Sequence, residues 1–143
     1  MKKLNSILLI DDDIATNFIS KMLIKKAGIT DHIETTLNGQ QALDYLTNSG
    51  KYEKMDGIYP KPMLILLDIN MPVMDGWEFA KAFSKLKPNQ KGETIIVMLT
   101  SSLNPDDKEK AAKLHAIRGF QNKILSMEAL ILIMNEYFPG YID

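Results

Sequence analysis

Residues 63–77, MLILLDINMPVMDGW, set an apolar run directly against a single carboxylate, Asp68. Asn70, Pro72, Asp75 and Gly76 follow closely. An apolar run of this length, rich in branched side chains, predicts a buried strand. The acid then stands at the strand's C-terminal edge, and in open α/β sheets that edge is where ligands bind. Asp68 is therefore read as a working carboxylate, against the plainer alternative of a turn or helix cap.

The flanking chain repeats the pattern. Residues 6–10 form a first predicted strand, ending on Asp11, Asp12 and Asp13. Residues 14–27 have helical spacing, with Ile14, Phe18 and Met22, flanked by Ile19 and Leu23, as the expected inner face. Asn17, Ser20, Lys21 and Ile24 fall on the expected outer face, and Gly28 stops the helix. Residues 32–37 read as a weak strand rich in β-branched side chains, followed by a turn at Asn38-Gly39 and a helix over 40–46. Residues 48–62, with two Gly and two Pro, read as a loop that is long for a compact domain.

Beyond the opening stretch, residues 77–86 predict a helix with Phe79, Ala80, Phe83 and Leu86 inward, and 87–93 a polar loop. Residues 94–99, TIIVML, predict a buried strand ending on Thr100, Ser101 and Ser102. Asn104-Pro105-Asp106-Asp107 reads as a helix start, with a capping Asn, Pro at the first position and acids near the positive end. A short strand over 118–121 leads to Asn122 and Lys123. Ser126 caps a last helix to about Phe138, with Met127, Leu130, Ile131, Met134 and Phe138 inward and Leu132 near the opposite side.

Five strands alternating with five helices predict an α/β domain. It is a doubly wound parallel sheet, covered on both faces, with right-handed crossovers. The 143 residues fit a single domain. Formal net charge is -1 and hydrophobic residues make up 45%, so neither bulk nucleic-acid binding nor disorder is indicated. The absence of cysteine excludes disulfides, thiolate metal sites and thiol nucleophiles. His32 and His115 have no ligand spacing and read as surface residues. The N-terminal apolar run is stopped by three acids, too early for a signal peptide, and no stretch suits a membrane span. A cytoplasmic protein is expected.

In such a sheet the strand ends converge. Asp11, Asp12, Asp13, Asp68, Thr100 and Lys123 then share one edge. Crowded carboxylates raise one another's pKa, and a hard divalent cation such as Mg²⁺ relieves that repulsion. With Mg²⁺ on one side and Lys123 on the other, Asp68 stays ionised and can attack phosphorus to form an aspartyl phosphate.

The motifs LLIDDD (8–13), LILLDINMPVMDG (64–76), VMLTSS (97–102) and GFQNK (119–123) together resemble the receiver domain of two-component response regulators. The resemblance covers essentially the whole chain. It implies a flavodoxin-like (βα)5 fold of strand order 2-1-3-4-5 and a single receiver domain over 1–143 with no output domain. By resemblance Asp68 is the phospho-acceptor, supplied by a histidine kinase or phosphotransfer protein. Asp11 and Asp12 hold Mg²⁺ together with Asp68 and the backbone carbonyl of Asn70. Thr100, with Ser101 beside it, and Lys123 contact the phosphate, and Phe120 is the switch aromatic.

Other expectations concern surfaces. Asn17, Ser20, Lys21 and Ile24 form a candidate kinase-docking surface. Leu132 belongs to a candidate dimer or partner face along the last two helices and the fifth strand, serving an unknown downstream protein. Two departures from the family stand out. Ile124 replaces the usual proline after the lysine, which favours a trans Lys123-Ile124 bond and a reshaped loop. The 48–62 loop is longer than usual and is similar to that of receivers that stand alone.

Two other functions compete. A hydrolase turning over through an aspartyl phosphate needs a second acid two residues after the first, and Asn70 stands there. A degenerate receiver serving only as a protein-binding module has no use for intact acids, Thr100 and Lys123. A phosphorylation switch rather than a turnover enzyme is the reading favoured.

Overall fold

A computed structural model describes residues 2–55, 61–101 and 105–141. Its strands are β1 (Ile7–Ile10), β2 (Ile33–Thr36), β3 (Leu64–Asp68), β4 (Ile95–Thr100) and β5 (Ile117–Asn122). They form one parallel sheet in the order β2-β1-β3-β4-β5, as expected. β1, β3 and β4 are nearly continuous apolar runs because both faces of the sheet are covered.

Alternation along these strands divides the core in two. Leu8, Ile10, Ile65, Leu67, Ile96 and Met98 pack on one side with Phe79 and Phe83. Ile7, Leu9, Leu64, Leu66, Val97 and Leu99 pack on the other with Ile24, Leu130 and Met134. The helices are α1 (Ile14–Ala27), α2 (Gly39–Thr47), α3 (Gly76–Ser84), α4 (Pro88–Lys91), α5 (Pro105–Ala112) and α6 (Met127–Tyr137). Their starts are set by caps. Asp13 accepts from the Ala15 and Thr16 amides, Asn38 from Gln41, Asp75 from Glu78 in a capping box, and Ser126 from Ala129. The expected cap Asn104 lies outside the described residues.

The sixth helix, α4, falls in the stretch expected as a loop. It is one turn long, begun by Pro88 and tied by the Lys87 amide donating to Gln90 Oε1 at 3.1 Å. So short a helix carries no apolar periodicity to reveal it. The other expected loop holds a 3-10 helix, Gly50–Met55, anchored by the buried Tyr52 edge-on to Tyr45 at 5.2 Å. Residues 56–60 of that loop lie outside the described residues.

Helix α1 sits the opposite way round from the sequence expectation. Ile14, Phe18 and Met22 are 71%, 63% and 55% exposed, and Ile19 is exposed too. Thr16, Asn17, Ser20 and Ile24 are buried, so Asn17, Ser20 and Ile24 are not available as a docking surface; Lys21 is half-buried. The reason is polar satisfaction. The Asn17 amide donates to the Asp11 carbonyl at 2.9 Å and the Thr36 carbonyl at 3.4 Å, joining the ends of β1 and β2. Buried carbonyls need such partners, and small side chains let the helix lie close to the sheet. In α6, Ile133 rather than Ile131 faces the core, while Ile131 and Leu132 are exposed.

Candidate functional site

The register brings the acids together. Ile10 pairs with Leu67, so Asp11 and Asp68 leave neighbouring strands side by side. Both are buried, whereas Asp12 is exposed. One carboxylate oxygen from each of Asp11, Asp12 and Asp68 lies within 4.8 Å of the others. Lys123 reaches across from the end of β5. Its Nζ is 3.1 Å from Asp68 Oδ2 and 3.6 Å from Asp11 Oδ2. Its backbone amide donates to the Thr100 carbonyl at 2.8 Å, fixing the lysine's root to the end of β4.

The electrostatics follow from burial and crowding. Burial pushes the Asp11 carboxyl up to about 6. The Asp13 amide hydrogen bond and Lys123 oppose that rise, and the charges of Asp68 and Asp12 add to it. Burial acts to lower the Lys123 pKa, but its hydrogen bond to Asp68 and the charges of Asp11, Asp68 and Asp12 leave it raised. Lysine is therefore a fixed cation here.

These residues suit a divalent cation. Three carboxylates face one ammonium, and Asp11 Oδ2 is buried without a hydrogen-bond partner. An oxygen-only donor set of this kind is what hard cations take.

The remaining expected residues take definite places. Thr100 is buried at the end of β4, and Ser101 next to it is exposed. Phe120 is half-buried on β5 and packs against the Phe79 side of the core. Asn70 is exposed in the connection after β3. Among the described residues there is no cis peptide bond, so Lys123-Ile124 is trans. Ile124 takes φ 66°, a left-handed conformation that a β-branched residue rarely adopts, and its side chain is 62% exposed. Ser102 lies outside the described residues, and His32 and His115 are exposed.

Gly76 is a residue whose role at the site the sequence did not reveal. A Cβ there would stand 2.5 Å from the Asp68 carbonyl oxygen and 2.9 Å from Ile69 Cα. Its amide donates to the Ile69 carbonyl at 2.8 Å. The first turn of α3 thus rests on the backbone that carries Asp68. Gly76→Ala is expected to cost about 1–3 kcal/mol of stability through overpacking, read as a lowered urea midpoint.

The sequence profile of the response regulator receiver domain matches residues 7–135. The chain belongs to this family. It is 34% identical to the response regulator Rcp1 of Synechocystis sp. over 110 residues, covering 76% of this chain and 70% of that one. The crystal structure of a two-component response regulator from Cytophaga hutchinsonii superposes with a TM-score of 0.78 at 30% identity, covering 94% of this chain and 97% of that one. A Mn²⁺-bound structure of Rcp1 superposes with a TM-score of 0.70 at 27% identity, covering 96% of each. Receiver domains are signalling switches of two-component phosphorelays and interact with histidine kinases or phosphotransfer proteins. No helix among the described residues of this receiver domain is long and apolar enough to cross a membrane.

Proposed function

We propose that this receiver domain accepts a phosphoryl group on Asp68 from a histidine kinase or phosphotransfer protein, and that the modification changes what it binds. The observation that carries this reading is the cluster of Asp11, Asp12 and Asp68 closed on one side by Lys123. Asp11, Asp12 and Asp68, with the Asn70 carbonyl, would hold Mg²⁺. The donor set and the Mn²⁺-bound form of Rcp1 support a divalent cation here. When bound, the cation supplies charge neutralisation for the transferring group and holds its oxygens.

The chain's own residues do the rest. An Asp68 oxygen attacks phosphorus. The new P–O bond forms as the donor's P–N bond breaks, and the electron pair returns to the donor imidazole. Lys123, already paired with Asp68, moves its hydrogen bond to a phosphoryl oxygen. Thr100, with Ser101 beside it, donates a hydroxyl to another, and Phe120 repacks with them. Residues 1–143 act in this reading as one receiver domain, signalling through partner contact. The exposed Ile131 and Leu132 on α6 belong to the candidate partner or dimer face.

Metal-dependent labelling by phosphoramidate, lost when Asp68 is replaced by Asn, tests the central claim. Multiple turnover of varied phosphoesters would point instead to a hydrolase, and absence of labelling to a binding module.

The phosphodonor is best accommodated by the exposed apolar face of α1. Ile14, Phe18 and Met22 lie along one side of the helix, and the exposed Ile14 and Ile124 directly follow Asp13 and Lys123 in the chain. Phe18→Ala is expected to slow transfer from a phosphorylated kinase or phosphotransfer protein at least about tenfold, as loss of a buried aromatic anchor does. Labelling by phosphoramidate, which needs no protein docking, should be unchanged. Equal slowing of both would place the defect in the fold instead.

A further inference from the structure

A groove of about 280 Å³ is lined by residues of α3, of α5 and of the turn after it, none of them in the acid cluster. Trp77 and Leu114 form its apolar floor, both half-buried against the Phe79 side of the core. Lys81, Lys110 and Lys113 form its rim, and among the described residues no carboxylate lines it. Lys110 Nζ lies 5.4 Å from the centroid of the indole ring, close enough for a cation–π contact.

The concentration of charge is local, because the chain as a whole carries a formal net charge of -1. Lysines near the end of α5 also favour the helix dipole. That accounts for Lys110 and Lys113. It accounts as well for Lys81, in the last turn of α3, but not for an indole left half-exposed beside these lysines. An apolar floor ringed by one sign of charge is complementary to an apolar anchor flanked by the other. Nucleic acid fits less well. It needs a longer basic track than three lysines around one indole.

We propose that this groove binds an acidic, amphipathic segment of a partner protein. One large apolar side chain rests on Trp77 and Leu114, and flanking carboxylates meet Lys81, Lys110 and Lys113. The proposal goes beyond the phospho-acceptor reading and does not depend on it, since none of the five residues belongs to the acid cluster.

Trp77 is the only tryptophan in the chain, so its emission reports on the groove alone. The probe is a short synthetic peptide with a central Leu-Phe pair flanked on both sides by glutamates, titrated into the full chain. A saturable change in Trp77 emission is expected. Affinity should fall at least about tenfold when glutamines replace the glutamates, or in the Lys110→Glu, Lys113→Glu double variant, because both remove the charge pairing. Lys81→Glu, on the other helix, should weaken binding as well, which separates loss of the groove from a local defect in α5. Asp68→Asn should bind the peptide like the unaltered chain. The proposal is overturned by a change that does not saturate, by equal affinity for the glutamine peptide, by indifference to the charge reversals, by loss of binding in Asp68→Asn, or by tighter binding of a single-stranded oligothymidylate.

Discussion

Asp68→Asn should abolish phosphoryl labelling, lowering it at least about 100-fold, because an amide lacks both the charge and the lone-pair basicity of a carboxylate nucleophile. The change is close to isosteric at a buried position. It removes the 3.1 Å partner of Lys123 but leaves Asp11 at 3.6 Å, so the ammonium keeps a counter-charge and the fold should survive. The measurement is incubation with phosphoramidate and Mg²⁺, followed by intact-mass analysis. Hydroxylamine should remove the added mass from the unaltered chain, as expected of an acyl phosphate. Residual labelling near the original level would move the acceptor to Asp11 or Asp12 and overturn the assignment.

Asp11→Asn should act in opposite directions on metal affinity and on metal-free stability. Losing one charged donor of three should weaken Mg²⁺ or Mn²⁺ binding at least about 100-fold, since charge count tunes such sites. Without metal the variant should be the more stable protein at neutral pH. The Asp11 carboxyl has its pKa raised from 3.8 to about 6 by folding, chiefly through burial. An acid whose pKa rises on folding contributes stability below its unfolded value. That contribution is lost as pH climbs through the folded value. The difference corresponds to about 3 kcal/mol at most. In metal-free buffer the variant's advantage should therefore be full at pH 7 and shrink as pH falls toward 4, as read by urea denaturation. Saturating Mg²⁺ should reverse the order, because only the unaltered chain gains the full linkage from binding. A variant less stable at pH 7 with or without metal would show that Asp11 is structural instead.

Much of the site could be read from the chain because its residues follow strands. Asp11, Asp68 and Thr100 come at or just past the end of an apolar run and Lys123 just past a short, more polar strand, and parallel winding places all such ends on one edge. What could not be read was orientation. The apolar stripe Ile14, Phe18 and Met22 looked like an inner face by spacing alone. The competing face, with Asn17 and Ser20, prevailed because carbonyls at the ends of β1 and β2 needed a donor. Spacing likewise misassigned Ile131, since α6 is apolar around much of its circumference, and Ile133 took the core position. The one-turn α4 and the 3-10 helix over Gly50–Met55 were too short to leave a periodic signal.

The sequence by itself determined the strands, their order along the chain and the chemistry carried at their ends, because these depend on local runs and on the handedness of βαβ winding. Only the tertiary structure decided which side of each helix meets the sheet, how closely Gly76 approaches the acceptor's backbone, and that Trp77 and Leu114 share one basic groove. Those outcomes rest on buried polar groups finding partners and on helices of different origin packing side by side. Both are settled by contacts between residues distant in sequence, which no local pattern encodes.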